Sequence, residues 1–172
     1  MKRFYALFGG LLFLLLMFSS SRVFTGKLLL YNYTDSLPYG IYLLHPGQPE
    51  KGDLVAIKPG GLAVKLIRER HYLRNGAYLL KYIVGVKDDS VCTEKGVLSV
   101  DGVNYGGIDA FDREGRQLPQ YSFCGRLKDG YIVAIKGMKN SFDSRYYGPI
   151  KTEDIIGIAT PFWLFQAPHK QP

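Results

Sequence analysis

One serine stands in a stretch built to hold it still. Residues 32–42 read Asn-Tyr-Thr-Asp-Ser-Leu-Pro-Tyr-Gly-Ile-Tyr, with Ser36 two positions after Thr34 and two before Pro38. Proline fixes φ and glycine frees it, so Pro38 and Gly40 mark a turn that restrains the serine. A restrained hydroxyl is a candidate nucleophile, and it needs a base within reach. The three histidines offer none by context: His45 precedes a Pro-Gly turn, His71 lies in a basic stretch and His169 is in the tail. A Ser-His-Asp triad is therefore poorly supported. Lys81 is the other candidate, because it interrupts the strongly apolar run 77–86. Strand alternation allows it two orientations. Facing outward, it is an ordinary solvated residue. Facing inward, desolvation lowers its pKa and frees a neutral amine to act as a general base. No metal site is expected, since two cysteines and three histidines show no ligand spacing.

The elements that must bring Ser36 and Lys81 together are short. The chain has 172 residues, 47% of them apolar, which suits one folded domain with a real core. With 20 Gly and 9 Pro, turn signals break the sequence at close intervals. Strands are expected over 27–33, 41–44, 53–58, 77–86, 90–93, 97–100, 103–105, 130–136 and 155–159. Asp101-Gly102 reads as a two-residue hairpin turn. Residues 62–73 carry a helical pattern and are basic, which fits a solvated surface helix or a patch against anionic headgroups. Residues 106–120 read as a polar surface loop hung on the hairpin, and 140–148 as a polar connection. Many strands and little helix predict a mainly β, antiparallel domain.

At the N-terminus, Lys2 and Arg3 precede an uncharged apolar run, 4–18, followed by serines and Arg22. This pattern fits a cleaved secretory signal or an uncleaved signal-anchor. No A-x-A-like site follows, so the anchor is favoured over residues 1–24. Lys2 and Arg3 then stay cytoplasmic by the positive-inside rule. Residues 25–166 form the extracytoplasmic domain on this reading, and 167–172 a frayed tail. In an oxidising compartment Cys92 and Cys124 are expected to pair, worth about 3–4 kcal/mol by chain entropy. Two unlinked thiols are the other reading. The net charge of +7 suits anionic lipid, an acidic partner or nucleic acid. No nucleic-acid module signature is present, so nucleic acid is not expected as a partner.

The motif Asn32-x-Thr34-x-Ser36-x-Pro38-x-Gly40-x-Tyr42 resembles the serine motif of the conjugative-transfer signal peptidases, the TraF-like branch of the type I signal peptidase family. Three further segments match in the same order: 51–55 (Lys-Gly-Asp-Leu-Val), 79–85 (Leu-Leu-Lys-Tyr-Ile-Val-Gly) and 141–148 (Ser-Phe-Asp-Ser-Arg-Tyr-Tyr-Gly). The cysteine pair flanking an inserted hairpin region is also similar to this branch. The resemblance implies an antiparallel β-sheet domain of the signal-peptidase type behind an N-terminal transmembrane helix. It implies a serine endopeptidase with Ser36 as nucleophile and Lys81 as general base. The Ser36 backbone N–H and the Thr34 hydroxyl would form the oxyanion hole. Ser141 would hydrogen-bond the lysine amine, and Asp143 and Arg145 would form a supporting ion pair. No cofactor is implied. The implied setting is the cytoplasmic (inner) membrane, single-pass, with the catalytic domain on the periplasmic side of the lipid bilayer. The implied substrate is a pro-pilin or another conjugation-apparatus precursor. A non-catalytic anchored β scaffold and a general signal peptidase are the alternative readings.

Overall fold

The structure, a computed structural model, describes residues 29–58, 60–74, 76–139 and 141–165. The expected anchor, 1–24, and tail, 167–172, lie outside them. Among the described residues no helix is long and apolar enough to cross a membrane.

Among the described residues ten strands and two α-helices follow in the order β1 (Leu29–Asn32), β2 (Gly40–His45), β3 (Leu54–Ile57), α1 (Gly61–Glu69), β4 (Leu79–Gly85), β5 (Ser90–Cys92), β6 (Val97–Val100), β7 (Val103–Gly107), β8 (Cys124–Arg126), β9 (Ile132–Ala134), α2 (Ser144–Tyr147) and β10 (Ile155–Leu164). Two sheets result, of order β1-β2-β10-β3-β4-β9 and β7-β6-β5-β8. Every strand pair is antiparallel, so the domain is mainly antiparallel β, as its composition predicts.

The large sheet carries the core on both faces. One cluster joins Leu37, Tyr42, Leu44, Leu54, Leu80 and Ala159. A second joins Val55, Ile57, Ile67, Leu79, Ile83 and Val133. β3 and β4 contribute to both, which is why they read as continuous apolar runs rather than alternating ones. The small sheet is packed onto the β4–β9 end through Val91, Leu98 and Val100 against Val84, Ile132 and Ala134. Lys51 reinforces this junction with ion pairs to Asp89 at 2.8 Å and Asp101 at 2.7 Å.

The hairpin expected at Asp101-Gly102 joins β6 to β7, and both residues have positive φ (49° and 77°), as a two-residue turn of type I′ requires. Cys92 and Cys124 face each other across β5 and β8 and are joined by a disulfide. β8 and the short helix α2 were not legible in the sequence. β10 runs five residues beyond the expected end at Ala159, through Pro161. Past Ile158 it pairs only with β2, so Pro161 withholds no ladder hydrogen bond from a second neighbour.

Candidate active site

Ser36 sits on the loop 33–39 that joins the paired strands β1 and β2, closed by the register pair Asn32 and Gly40. Buried Asn32 is the hub of this loop. Its amide nitrogen donates to the carbonyls of Thr34 (3.2 Å), Leu37 (3.1 Å) and Pro38 (3.0 Å). Its oxygen accepts from the Thr34 backbone N–H (3.2 Å) and the Thr34 hydroxyl (2.7 Å). Tyr42 adds a bond from its hydroxyl to the Pro38 carbonyl at 2.8 Å, and Leu37 plugs the loop into the core. Tyr39 donates to the Asp35 carboxylate on the outer side. At Gly40, with φ 156°, an added Cβ would clash with the Trp163 carbonyl of β10, so only glycine lets the two backbones approach. The serine is therefore held by side-chain bonds, core packing and backbone contact together.

Lys81 comes to this loop from the middle of β4. Its neighbours on the same face by period two are Leu79 and Ile83, both core residues, whereas Tyr82 on the other face is exposed. The inward orientation is the one adopted, and Lys81 is only 3% exposed. Its amine lies 3.3 Å from Ser36 Oγ, and Thr34 Oγ1 lies 3.3 Å from the same oxygen. Burial lowers the Lys81 pKa to about 8, with the Asp143 carboxylate pulling it up and the Arg145 guanidinium pushing it further down. A buried amine of that kind is neutral often enough at moderately alkaline pH to accept a proton from a hydroxyl.

Asp143 and Arg145 form a fully buried ion pair: Nε to Oδ1 at 2.8 Å and Nη2 to Oδ2 at 2.9 Å. Asp143 also caps α2 by accepting the Arg145 N–H. The remaining guanidinium N–H groups donate to the carbonyls of Gly107, Met138 and Ser141 at 2.9–3.0 Å. Two buried charges are tolerable only when paired and saturated in this way. The bond to Gly107 ties the end of β7 in the small sheet to the segment carrying Ser141. The Ser141 hydroxyl is buried and has no hydrogen-bond partner among the described residues, so the bond to the lysine amine implied by the resemblance is not formed here.

Ser36, Thr34, Lys81 and Ser141 all line one cleft of about 530 Å³. Among the described residues no histidine lines it; His45 bonds Thr160 instead, at 2.8 Å, and His169 lies outside the described residues. Asn32 opens the serine motif, but the motif alone assigns it no role. A buried polar residue directly before a turn was the available signal, because such a group must find partners in the turn's backbone. The loop after β7, expected as mere surface, also lines the cleft through Phe111, Asp112 and Arg116.

This arrangement is chemically suited to attack on a carbonyl. The family described as "Signal peptidase, peptidase S26" matches residues 1–163, and the chain belongs to that family. Among individual proteins it is similar to a plasmid transfer protein TraF of Escherichia coli, 32% identical over 147 residues, covering 76% of this chain and 79% of that protein. It is likewise similar to the conjugal transfer protein TraF of Agrobacterium fabrum (strain C58 / ATCC 33970), 30% identical, covering 78% of this chain and 81% of that protein. A probable conjugal transfer protein TraF of Sinorhizobium fredii (strain NBRC 101917 / NGR234) is 34% identical, covering 74% and 73%. The crystal structure of a signal peptidase I from Enterococcus faecalis V583 overlaps 66% of this chain and 98% of that chain at 20% identity. Its TM-score is 0.39, too low to bear any weight.

Proposed function

We propose that this protein is a membrane-anchored serine endopeptidase that removes the leader of an exported precursor, with Ser36 as nucleophile and Lys81 as general base. The observation that carries the reading is the 3.3 Å approach of a buried, low-pKa lysine amine to a restrained serine hydroxyl. Neutral Lys81 takes the Ser36 proton as Oγ attacks the scissile carbonyl. The oxyanion is met by the Ser36 backbone N–H and the Thr34 hydroxyl; losing one such donor typically costs about 3 kcal/mol. In the free enzyme the Thr34 hydroxyl proton points at Asn32. It rotates to the oxyanion while Asn32 keeps its bond to the Thr34 N–H. The lysine ammonium then protonates the departing amine, and the amine so regenerated activates water to hydrolyse the acyl-enzyme. An unpartnered buried hydroxyl costs about 1–3 kcal/mol, and a bond from Ser141 to the lysine amine, formed when substrate binds in the cleft both residues line, would recover it. Asp143 and Arg145 hold the Ser141 segment in place.

The segment 1–24 serves as the uncleaved anchor in the inner membrane, single-pass, with 25–166 on the periplasmic side. Family membership supports a precursor protein as substrate. The names of the relatives support a conjugation setting, and the resemblance of the serine motif to that branch makes a pro-pilin the preferred substrate. The test is processing of a candidate pilin precursor by the purified protein, followed by mass spectrometry. Ser36→Ala and Lys81→Ala are each expected to abolish cleavage while keeping the native fold. Normal cleavage by either variant refutes the mechanism.

A further inference from the structure

Residues 108–123 leave the small sheet after β7 and return at β8, and the structure pins their middle to the segment just after α1. Phe111 and Gln117 pair as an isolated bridge, making a miniature hairpin over 111–117. Asp112 is its fastening. Asp112 Oδ1 accepts the backbone N–H groups of Glu114 (3.0 Å) and Arg116 (2.9 Å), which shapes the turn from within. Oδ2 accepts from the Tyr72 hydroxyl (2.6 Å), Arg70 Nη1 (3.2 Å) and Arg116 Nε (2.8 Å). Arg70 adds a 2.7 Å bond to the Gln117 carbonyl, and the Arg116 guanidinium lies 5.7 Å over the Tyr72 ring. Arg70 and Tyr72 belong to the chain just after α1, far from the small sheet in sequence. A carboxylate with its side chain only 8% exposed and five donors around it is a built latch. It is not the loose charged loop that the sequence alone implies.

The latch presents Phe111. This ring is 60% exposed and lines the cleft that holds Ser36 and Lys81, beside Tyr72 and Phe142, whose rings meet edge to face at 5.3 Å. Leaving an aromatic ring in water while fixing its backbone forgoes apolar burial. A bound chain that covers the ring recovers that burial.

We propose that the 111–117 hairpin is a specificity-determining wall of the cleft: Phe111 packs against an apolar side chain of the precursor near the scissile bond, and Asp112 is the positioning residue that sets the wall. The proposal rests on the peptidase reading above. Apolar pockets discriminate by about tenfold to a hundredfold per aliphatic group lost.

The test uses the full-length protein in detergent and a positional library of internally quenched peptides in which one site at a time carries Leu, Phe or Ala. The wild type is expected to prefer Leu or Phe over Ala at one site by about tenfold in kcat/KM. Phe111→Ala, a change at an exposed position, is expected to erase that preference, bringing kcat/KM for the Leu and Phe peptides down to that for the Ala peptide mainly through KM. Asp112→Asn is expected to raise KM for the same peptides only. A merely structural latch would lower kcat on all peptides alike. An unaltered preference in Phe111→Ala overturns the wall. Peptide affinity is measured in parallel by fluorescence anisotropy in a Ser36→Ala background, with and without Phe111→Ala. Equal affinities also overturn the wall. A difference in affinity with no cleavage by the Ser36-bearing enzyme supports the wall and overturns the peptidase reading instead.

Discussion

Replacing Lys81 by methionine separates what the lysine does for chemistry from what it costs the fold. The lysine pKa falls from 10.5 to about 8 on folding, chiefly through burial. A drop of about 2.5 pH units corresponds to about 3 kcal/mol of lost stability. The sign follows from proton counting. Between the two pKa values the unfolded chain binds the proton and the folded chain does not, so stability rises with pH across that window. The cost is present in full below pH 8, shrinks between pH 8 and 10.5, and vanishes above. Methionine keeps the length of the side chain and carries no charge, so Lys81→Met is expected to be more stable than the wild type by about 3 kcal/mol at neutral pH. The advantage should shrink to under about 1 kcal/mol at pH 10.5. Urea denaturation of both proteins at pH 7 and pH 10.5 measures this. The difference between the variants cancels the other tyrosines and lysines that titrate in the alkaline range. Peptidase activity should be lost at every pH. A Lys81→Met variant less stable than the wild type at pH 7, or an advantage independent of pH, refutes the claim that this lysine is buried at the expense of stability.

With Lys81 as the proposed general base, kcat/KM should climb about tenfold between pH 7 and 9 and then level off. A flat profile, or one still rising steeply above pH 10, argues against Lys81 as the base. Asn32→Ala removes five hydrogen bonds from the serine loop. It is expected to lower kcat/KM about a hundredfold, with circular dichroism showing the β fold intact; wild-type turnover would show that the loop holds itself. Replacing both Cys92 and Cys124 by serine should cost about 3–4 kcal/mol in denaturation while leaving cleavage of a short peptide within about threefold, since Lys81 lies in the other sheet and Ser36 on the loop between two of that sheet's strands. A folded but inactive double variant would contradict that separation. Arg145→Met strands the Asp143 carboxylate and should cost about 3–5 kcal/mol; an unchanged melting temperature would remove the supporting role of the pair.

The serine was legible because its setting is local. Pro38, Gly40 and Thr34 lie within four positions of it, and turn chemistry acts over that range. The strands of the large sheet were legible for a similar reason, since β3 and β4 are buried on both faces and read as unbroken apolar runs. The latch at Asp112 was not. Its partners Arg70 and Tyr72 are about 40 positions away, and a run of Asp-Arg-Glu-Gly-Arg with no such partners reads as a solvated turn. The far end of β10 was hidden by Pro161, which reads as a strand terminator until β10 is seen to have only one neighbour there.

Lys81 shows why the remaining step needed the fold. Alternation along β4 places it with Leu79 and Ile83 and places Tyr82 with Leu80 and Val84, and with core residues on both faces it does not say which of Lys81 and Tyr82 reaches solvent. Composition favours the wrong answer, because burying tyrosine and exposing lysine is the cheaper choice. The chain does the reverse: Tyr82 is 40% exposed and Lys81 is 3% exposed. Lys81 is the register partner of Val55 and shares its face with Leu79 and Ile83, apolar surroundings that suit an aliphatic side chain. A local rule broken at the cost of stability, beside a serine held by its own hydrogen-bonded hub, is what the proposed mechanism requires of a residue kept for chemistry rather than for folding. The stability gained by Lys81→Met thus measures what the fold gives up to hold the amine, and the loss of cleavage in the same variant is what separates a peptidase from an anchored scaffold of the same shape.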